Sequence, residues 1–167
     1  MFDATPSTAQ SKRTHYRELN EQLVALLSDE SDGLANASNL TALFFHALPD
    51  LNWFGFYLLR GAELVLGPFQ GKIACVRIPL GRGVCGAAAR DRATIVVPDV
   101  HAFPDHIACD AASRSEIVVP LLRGDRVLGV LDVDSPNEGR FDAEDAEGLE
   151  AAAKILIDKS DFSHLTA

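Results

Sequence analysis

Hydrophobic spacing divides the chain into a helical opening, a strand-rich middle and a helical end. Between Ser11 and Leu27, the apolar residues Tyr16, Leu19, Leu23, Leu26 and Leu27 recur at helical intervals, which predicts an amphipathic helix. The polar segment SDESDG then breaks the pattern with turn chemistry. A second helix is expected over about 34–48, with Leu40, Leu43, Phe44, Ala47 and Leu48 on one face and Pro49 closing it. After Pro49 the period changes. NWFGFYLLR (52–60), AELVLGPF (62–69) and KIACVRIPL (72–80) read as consecutive strands joined by short turns, with Gly61 at the first hairpin. GRGVCGAAAR (81–90) reads as a turn feeding a short helix, and ATIVVPDV (93–100) as a strand ended by Pro98. HAFPDHIACDAAS (101–113) is a long irregular connection. SEIVVPLL (115–122) and RVLGVLDVDS (126–135) form a hairpin around Arg123-Gly124-Asp125. Asp142 caps a last helix, with Asp145 at its third position as a variant capping box and Leu149, Ala152, Ala153 and Leu156 facing inward.

This order gives an α+β layout, a central mostly antiparallel sheet of about six strands flanked by helices. The 167 residues suit a single domain over 11–160 with N-terminal helices and a C-terminal helix, preceded by a flexible tail at 1–10. A hydrophobic fraction of 47% is enough for a real core. The formal net charge of −9, with scattered Arg and Lys, offers no basic patch for nucleic acid. No apolar run is long enough to span a bilayer, and the N-terminus lacks the apolar stretch of a secretory signal, so a cytoplasmic protein without membrane association is expected. Three cysteines at wide spacing, Cys75, Cys85 and Cys109, do not make a structural disulfide framework. In a reducing compartment they are inert core thiols, metal ligands or working thiols.

The candidate chemistry centres on carboxylates and thiols. Asp132 and Asp134 lie two apart, so both leave the same strand face, with Leu131 and Val133 on the other. Glu116 and Asp132 are each eight residues from Gly124, which makes them neighbours across the hairpin. Three carboxylates on one face make either an acidic pocket floor or a solvated strand end. Cys109 sits in a polar segment, HIACDAAS, with His101 and His106 nearby, a setting that permits a reactive thiolate. Cys75, on a predicted strand, and Cys85, at the start of the short helix, are available to resolve an oxidised Cys109. The helix N-terminus is also a place where a thiol pKa can fall. His101, His106 and Cys109 match no standard zinc spacing and no CxxC occurs, so neither a metal site nor a cofactor is expected. GRGVCG lacks the lysine of a P-loop and the spacing of a dinucleotide fingerprint, and no GxSxG occurs. Trp53 and Tyr57, four apart on one strand, share a face and are either core or the wall of a small-ligand site.

The strings NWFGFYLL, LVLGPFQGKIACVRIPLGRGVCG, VVPDVHAFPDHIACDAASRSEIVVPL and GVLDVDSP carry a resemblance. Over roughly 16–160 the chain resembles the free methionine-(R)-sulfoxide reductases, small enzymes built on a single GAF domain. The resemblance implies a GAF-like fold and reduction of free L-methionine-(R)-sulfoxide to L-methionine, without a cofactor. It implies Cys109 as catalytic thiol, Cys75 as the usual resolving thiol and Cys85 as a third thiol of variable role. Glu116, Asp132 and Asp134 correspond to the acidic pocket, and Trp53 and Tyr57 to its aromatic wall. Glu116 and Asp134 are expected at the sulfoxide oxygen, with Asp132 nearer the substrate ammonium. A thioredoxin-like dithiol is the implied reductant. A homodimer through flanking helices is expected by analogy, with Leu19, Leu23 and Leu26 as an apolar stripe. The competing readings are a non-catalytic GAF sensor of a small ligand, which leaves three thiols unexplained, and a thiol redox sensor. No residue spacing encodes R over S.

Overall fold

The structure is a computed structural model that describes residues 11–105, 107 and 110–165. The expected tail at 1–10 lies outside the described residues, as do His106 and Cys109. Helices α1 (Lys12–Leu26) and α2 (Gly33–Ala47) precede strands β1 (Trp53–Arg60), β2 (Glu63–Gly71) and β3 (Arg77–Pro79). Helix α3 (Gly83–Asp91), strand β4 (Ile95–Val97) and a 3-10 turn (Val100–Ala102) follow. Strands β5 (Ser115–Arg123) and β6 (Arg126–Ser135) and helix α4 (Ala143–Lys159) complete the chain. The sheet is six-stranded in the order β3-β2-β1-β6-β5-β4, with every neighbouring pair antiparallel. The α+β expectation is met.

Strand alternation separates two cores. Phe54, Phe56 and Leu58 of β1, Ile117, Val119 and Leu121 of β5, and Leu131 and Val133 of β6 pack against α1, α2 and α4. Trp53, Tyr57, Val118 and Val130 leave the opposite face and pack with Val84, Cys85 and Ala88 of α3. The first face is mainly apolar and covered by three helices. The second is covered by one short helix and loops, so it is the face with room for chemistry. The α1 stripe is used within the chain: Leu19 and Leu23 are buried in the helical core, and Val24 is the exposed apolar residue of that helix. Among the described residues no helix is long and apolar enough to cross a membrane.

Two strands are shorter than the hydrophobic pattern suggests. The stretch 72–80 pairs only over Arg77–Pro79, because Gly71, at φ 123°, turns the chain out of the ladder. Ile73 is consequently 90% exposed, and Cys75 sits in an irregular segment instead of on a strand. In place of 93–100, β4 covers only Ile95–Val97, since Asp99 caps the 3-10 turn by accepting from the His101 N–H.

The register of the β5–β6 hairpin is also corrected. Arg123 pairs with Arg126 across a two-residue turn, and a bulge between Leu121 and Leu122 shifts the ladder by one. Glu116 therefore stands directly opposite Asp134, and Asp132 opposite Val118. Glu116 and Asp132 remain diagonal neighbours on one face.

Helix α4 begins at the expected capping box. Asp142 Oδ1 accepts from the Glu144 and Asp145 N–H groups, and Asp145 Oδ2 accepts from the Asp142 N–H. The fully buried Asp145 does more than cap. It accepts from Tyr16 Oη at 2.9 Å, Lys12 Nζ at 2.6 Å and Arg140 Nη1 at 3.0 Å, which clips α1 to α4. Gly148 completes the clip: a Cβ there would lie 2.2 Å from the Tyr16 ring, so only glycine lets the ring lie flat on α4. Asp145→Ala strands a buried hydroxyl and a nearly buried guanidinium. It is expected to cost about 3 kcal/mol. Urea unfolding checks this as a lower midpoint at unchanged slope.

Candidate functional site

Strand pairing brings the acidic residues together. Asp132 and Asp134 rise from β6, and β5 sets Glu116 across from Asp134. On the other side of β6, β1 sets Trp53 opposite Asp134 and Gly55 opposite Asp132. Helix α3 closes the floor with Cys85, whose Sγ lies 4.0 Å from Glu116 Oε1. The Sγ of Cys85 and one carboxylate oxygen each of Glu116 and Asp132 lie within 4.8 Å of one another. Glu116 and Asp132 are 6% and 7% exposed, while Asp134 sits nearer the mouth. These groups line a small cavity of about 30 Å³ together with Ile78, Arg82, Gly83, Val84, Ile107, Asp110 and Ser113. Its volume suits roughly one water molecule.

The cavity raises the pKa of Glu116, Asp132 and Asp134. Burial raises the Glu116 carboxyl well above its usual range, and the nearby Asp134 charge pushes the same way. Burial likewise raises Asp132, followed by repulsion from Glu116, and the two carboxyl groups share a hydrogen bond. Asp134 is raised by burial and by Asp132, against a hydrogen bond from Ser113. The oxygen Asp132 Oδ1 is buried with no hydrogen-bond partner among the described residues. Burial, then the charges of Asp132 and Glu116, raise the Cys85 thiol. This corrects the expectation that the helix N-terminus lowers it: desolvation and two carboxylates outweigh a half-charge dipole.

The aromatic pair shares a face as expected, but it stacks on itself. The Trp53 ring lies between Tyr57, at 5.8 Å between centroids, and Phe69, at 5.4 Å. Gly55 makes this possible, since a Cβ there would fall 2.5 Å from the Trp53 ring and 2.4 Å from Phe69. Trp53 also donates from Nε1 to the Lys72 carbonyl. Both rings are buried beside the carboxylates and neither lines the cavity in this closed form. Burial also raises the Tyr57 hydroxyl, which therefore stays protonated.

The thiols occupy different environments. Cys75 is in a disulfide, in a half-buried position between the exposed Ile73 and Val76. Cys85 is a free, buried thiol. Cys109, the expected nucleophile, lies outside the described residues, as does His106. His101 is exposed on the 3-10 turn and is not part of the cavity lining.

Sequence reasoning missed the anchor of the long connection. Asn52 Nδ2 donates to Asp110 Oδ2 at 3.2 Å and to Ser113 Oγ at 3.0 Å, while its N–H donates to the Asp134 carbonyl. Lys72 Nζ adds an ion pair to Asp110 at 3.4 Å. Asp110 Oδ1 accepts from the Ala112 N–H, which is the main cause of its lowered pKa. The D-x-A turn after Cys109 was the available signal, because aspartate favours such a local bond. Asn52 gave none, being contiguous in sequence with nothing it holds.

The family model for the GAF domain matches residues 43–156. A free methionine-R-sulfoxide reductase of Escherichia coli (strain K12) is 54% identical over 139 residues, 83% of this chain and 84% of that one. One of Saccharomyces cerevisiae is 46% identical over 162 residues, covering 90% of this chain and 89% of that protein. The X-ray structure of the Neisseria meningitidis free methionine-R-sulfoxide reductase, in complex with its substrate, superposes with a TM-score of 0.91 at 48% identity, covering 95% of each chain. The chain belongs to the free methionine-R-sulfoxide reductase family, on a GAF domain. It is an oxidoreductase, as the resemblance implied. The burial of these three carboxyl groups works against the fold.

That cost has a sign. A carboxyl with a raised folded pKa binds more protons folded than unfolded, so its contribution to stability is complete below the unfolded pKa of about 4. The contribution is lost as pH rises through the folded value. Asp132→Asn keeps the shape and removes the ionisation. It is expected to melt at least about 2 °C above wild type at pH 8, the shift that roughly 1 kcal/mol produces in a domain of this size. The gap should close towards pH 4, and calorimetry across that range reads it.

Proposed function

We propose that this chain reduces free methionine-R-sulfoxide to methionine, with Cys109 as nucleophile and the carboxyl cluster as acid. The observation that carries this reading is the convergence of Glu116, Asp132 and Asp134 in one cavity whose burial raises their pKa values. A sulfoxide becomes a good electrophile only when its oxygen is protonated or strongly hydrogen-bonded, and a neutral buried carboxylic acid supplies that proton. The relatives' names and the substrate-bound neighbour support the substrate class.

In the proposed cycle the Cys109 thiolate supplies two electrons to the sulfoxide sulfur. The sulfur–oxygen bond of the substrate breaks, the oxygen passes to Cys109 as a sulfenic acid, and methionine leaves. The Cys75 thiol then attacks that sulfur, forming a disulfide and releasing water. An external dithiol of the thioredoxin kind returns both thiols. The disulfide at Cys75 and the free thiol at Cys85 support Cys75 as the resolving partner. Cys75 lies in an exposed segment where a reductant can reach it, whereas Cys85 is buried. A cavity of about 30 Å³ is too small for an amino acid, so substrate enters after the disulfide is reduced.

Glu116 and Asp134, direct partners across the hairpin, are assigned to the sulfoxide oxygen, and Asp132 to the ammonium. Trp53 and Tyr57 back the thioether from beneath. A peptide-bound methionine sulfoxide lacks the free ammonium that the cluster attracts.

Racemic free methionine sulfoxide with dithiothreitol tests the reading. Wild type should convert about half the racemate and Cys109→Ser none. Glu116→Gln should lower kcat by roughly 10²–10⁴, the usual worth of a general acid. If wild type makes no methionine, the catalytic reading fails and the ligand-sensing one replaces it.

A further inference from the structure

Cys85 has no place in the proposed cycle, yet it is held against the two most buried carboxyl groups of the cavity. One sulfur and two carboxylate oxygens, from α3, β5 and β6, lie within 4.8 Å of one another. In a tetrahedral zinc site, with bonds of about 2.0–2.3 Å, neighbouring ligand atoms stand about 3.5 Å apart. The three atoms therefore need to close by about 1.3 Å at most. A second observation points to a missing ligand: Asp132, only 7% exposed, has its Oδ1 in the cavity floor without a hydrogen-bond partner among the described residues. The volume fits as well. About 30 Å³ accepts one small cation and at most one water.

We propose that Cys85, Glu116 and Asp132 form a binding site for a thiophilic divalent cation of the zinc class, which excludes the amino-acid substrate. A thiolate with two carboxylates selects zinc or cadmium over magnesium, a hard ion that prefers six oxygen ligands and keeps its waters. Asp134 at the mouth, or a water, supplies the fourth position. Binding expels the protons of the Cys85 thiol and of the Glu116 and Asp132 carboxyl groups, and so removes the acid on which the sulfoxide would dock. The cation is thus an inhibitor that belongs to the closed state and not a resident cofactor. Its exclusion of substrate rests on the reductase reading; its binding rests on the geometry alone.

The disulfide form isolates the test. With Cys75 in a disulfide, Cys85 is the free cysteine among the described residues, and a count of one thiol per denatured chain certifies that form before titration. Adding Cd²⁺ without reductant should raise cadmium–thiolate charge-transfer absorption that saturates at one equivalent, and Zn²⁺ but not Mg²⁺ should reverse it. Cys85→Ser should abolish the band. Asp132→Asn and Glu116→Gln should each weaken cadmium binding by about tenfold or more, since even the outer partners of a metal site are worth that much. No band in wild type overturns the proposal, and this arm needs no variant to fold. A band whose affinity ignores both carboxyl substitutions overturns it too, because the thiol would then bind alone. No methionine sulfoxide enters the titration, so its failure leaves the reductase reading intact, and an inactive reductase leaves the metal site intact.

Discussion

Everything in this molecule is arranged around the burial of three carboxyl groups on one face of a sheet. A carboxylate taken out of water either finds a counter-charge or keeps its proton. Around Glu116 and Asp132 the neighbours are each other, Asp134 and a thiol, and both pKa values are raised. The site therefore suits the acid's role proposed for it. Its acidity needs no single special residue, only antiparallel pairing tight enough to hold like groups together.

The helical face shows the opposite treatment of a buried aspartate. Asp145 accepts from a hydroxyl, an ammonium, a guanidinium and a backbone N–H, so its charge is fully answered and its role is to hold α1 on α4. Asp132 has an oxygen that nothing described answers. The same residue type is structural where its lone pairs are filled and available for chemistry where they are not. The sealed apolar core between the sheet and three helices is what lets the other face remain under-satisfied without the domain coming apart.

Local pattern carried most of the fold. Helical and strand periods located the four α-helices and six strands but not the 3-10 turn, and the capping box at Asp142 and Asp145 is where spacing put it. The shared face of Asp132 and Asp134 followed from a period of two. What was not legible depends on partners far along the chain. The two-residue turn and the bulge at Leu121/Leu122 together set Glu116 opposite Asp134 in place of Asp132, and nothing in RVLGVLDVDS announces the bulge. Ile73 and Cys75 look like strand residues, yet Gly71 turns that segment away from β1. Asn52 holds Asp110 and Ser113 across some sixty residues, a contact made only once β1 and β6 are paired.

The three cysteines then separate by environment. A proton-rich cavity is hostile to a thiolate, and Cys85, buried against two carboxyl groups, is kept protonated and unreactive by the same burial that makes those groups acids. A nucleophile for this site has to come from outside the sheet face, on a segment that approaches the cavity without being desolvated in it. The proposed nucleophile, Cys109, precedes Asp110, which Asn52 and Lys72 fix to the cavity wall. Cys75 lies on the other exposed segment, reaching β3 from Gly71. Acid and thiolate are favoured by opposite environments, and the described residues put the acids on the sheet and Cys75 in an irregular segment.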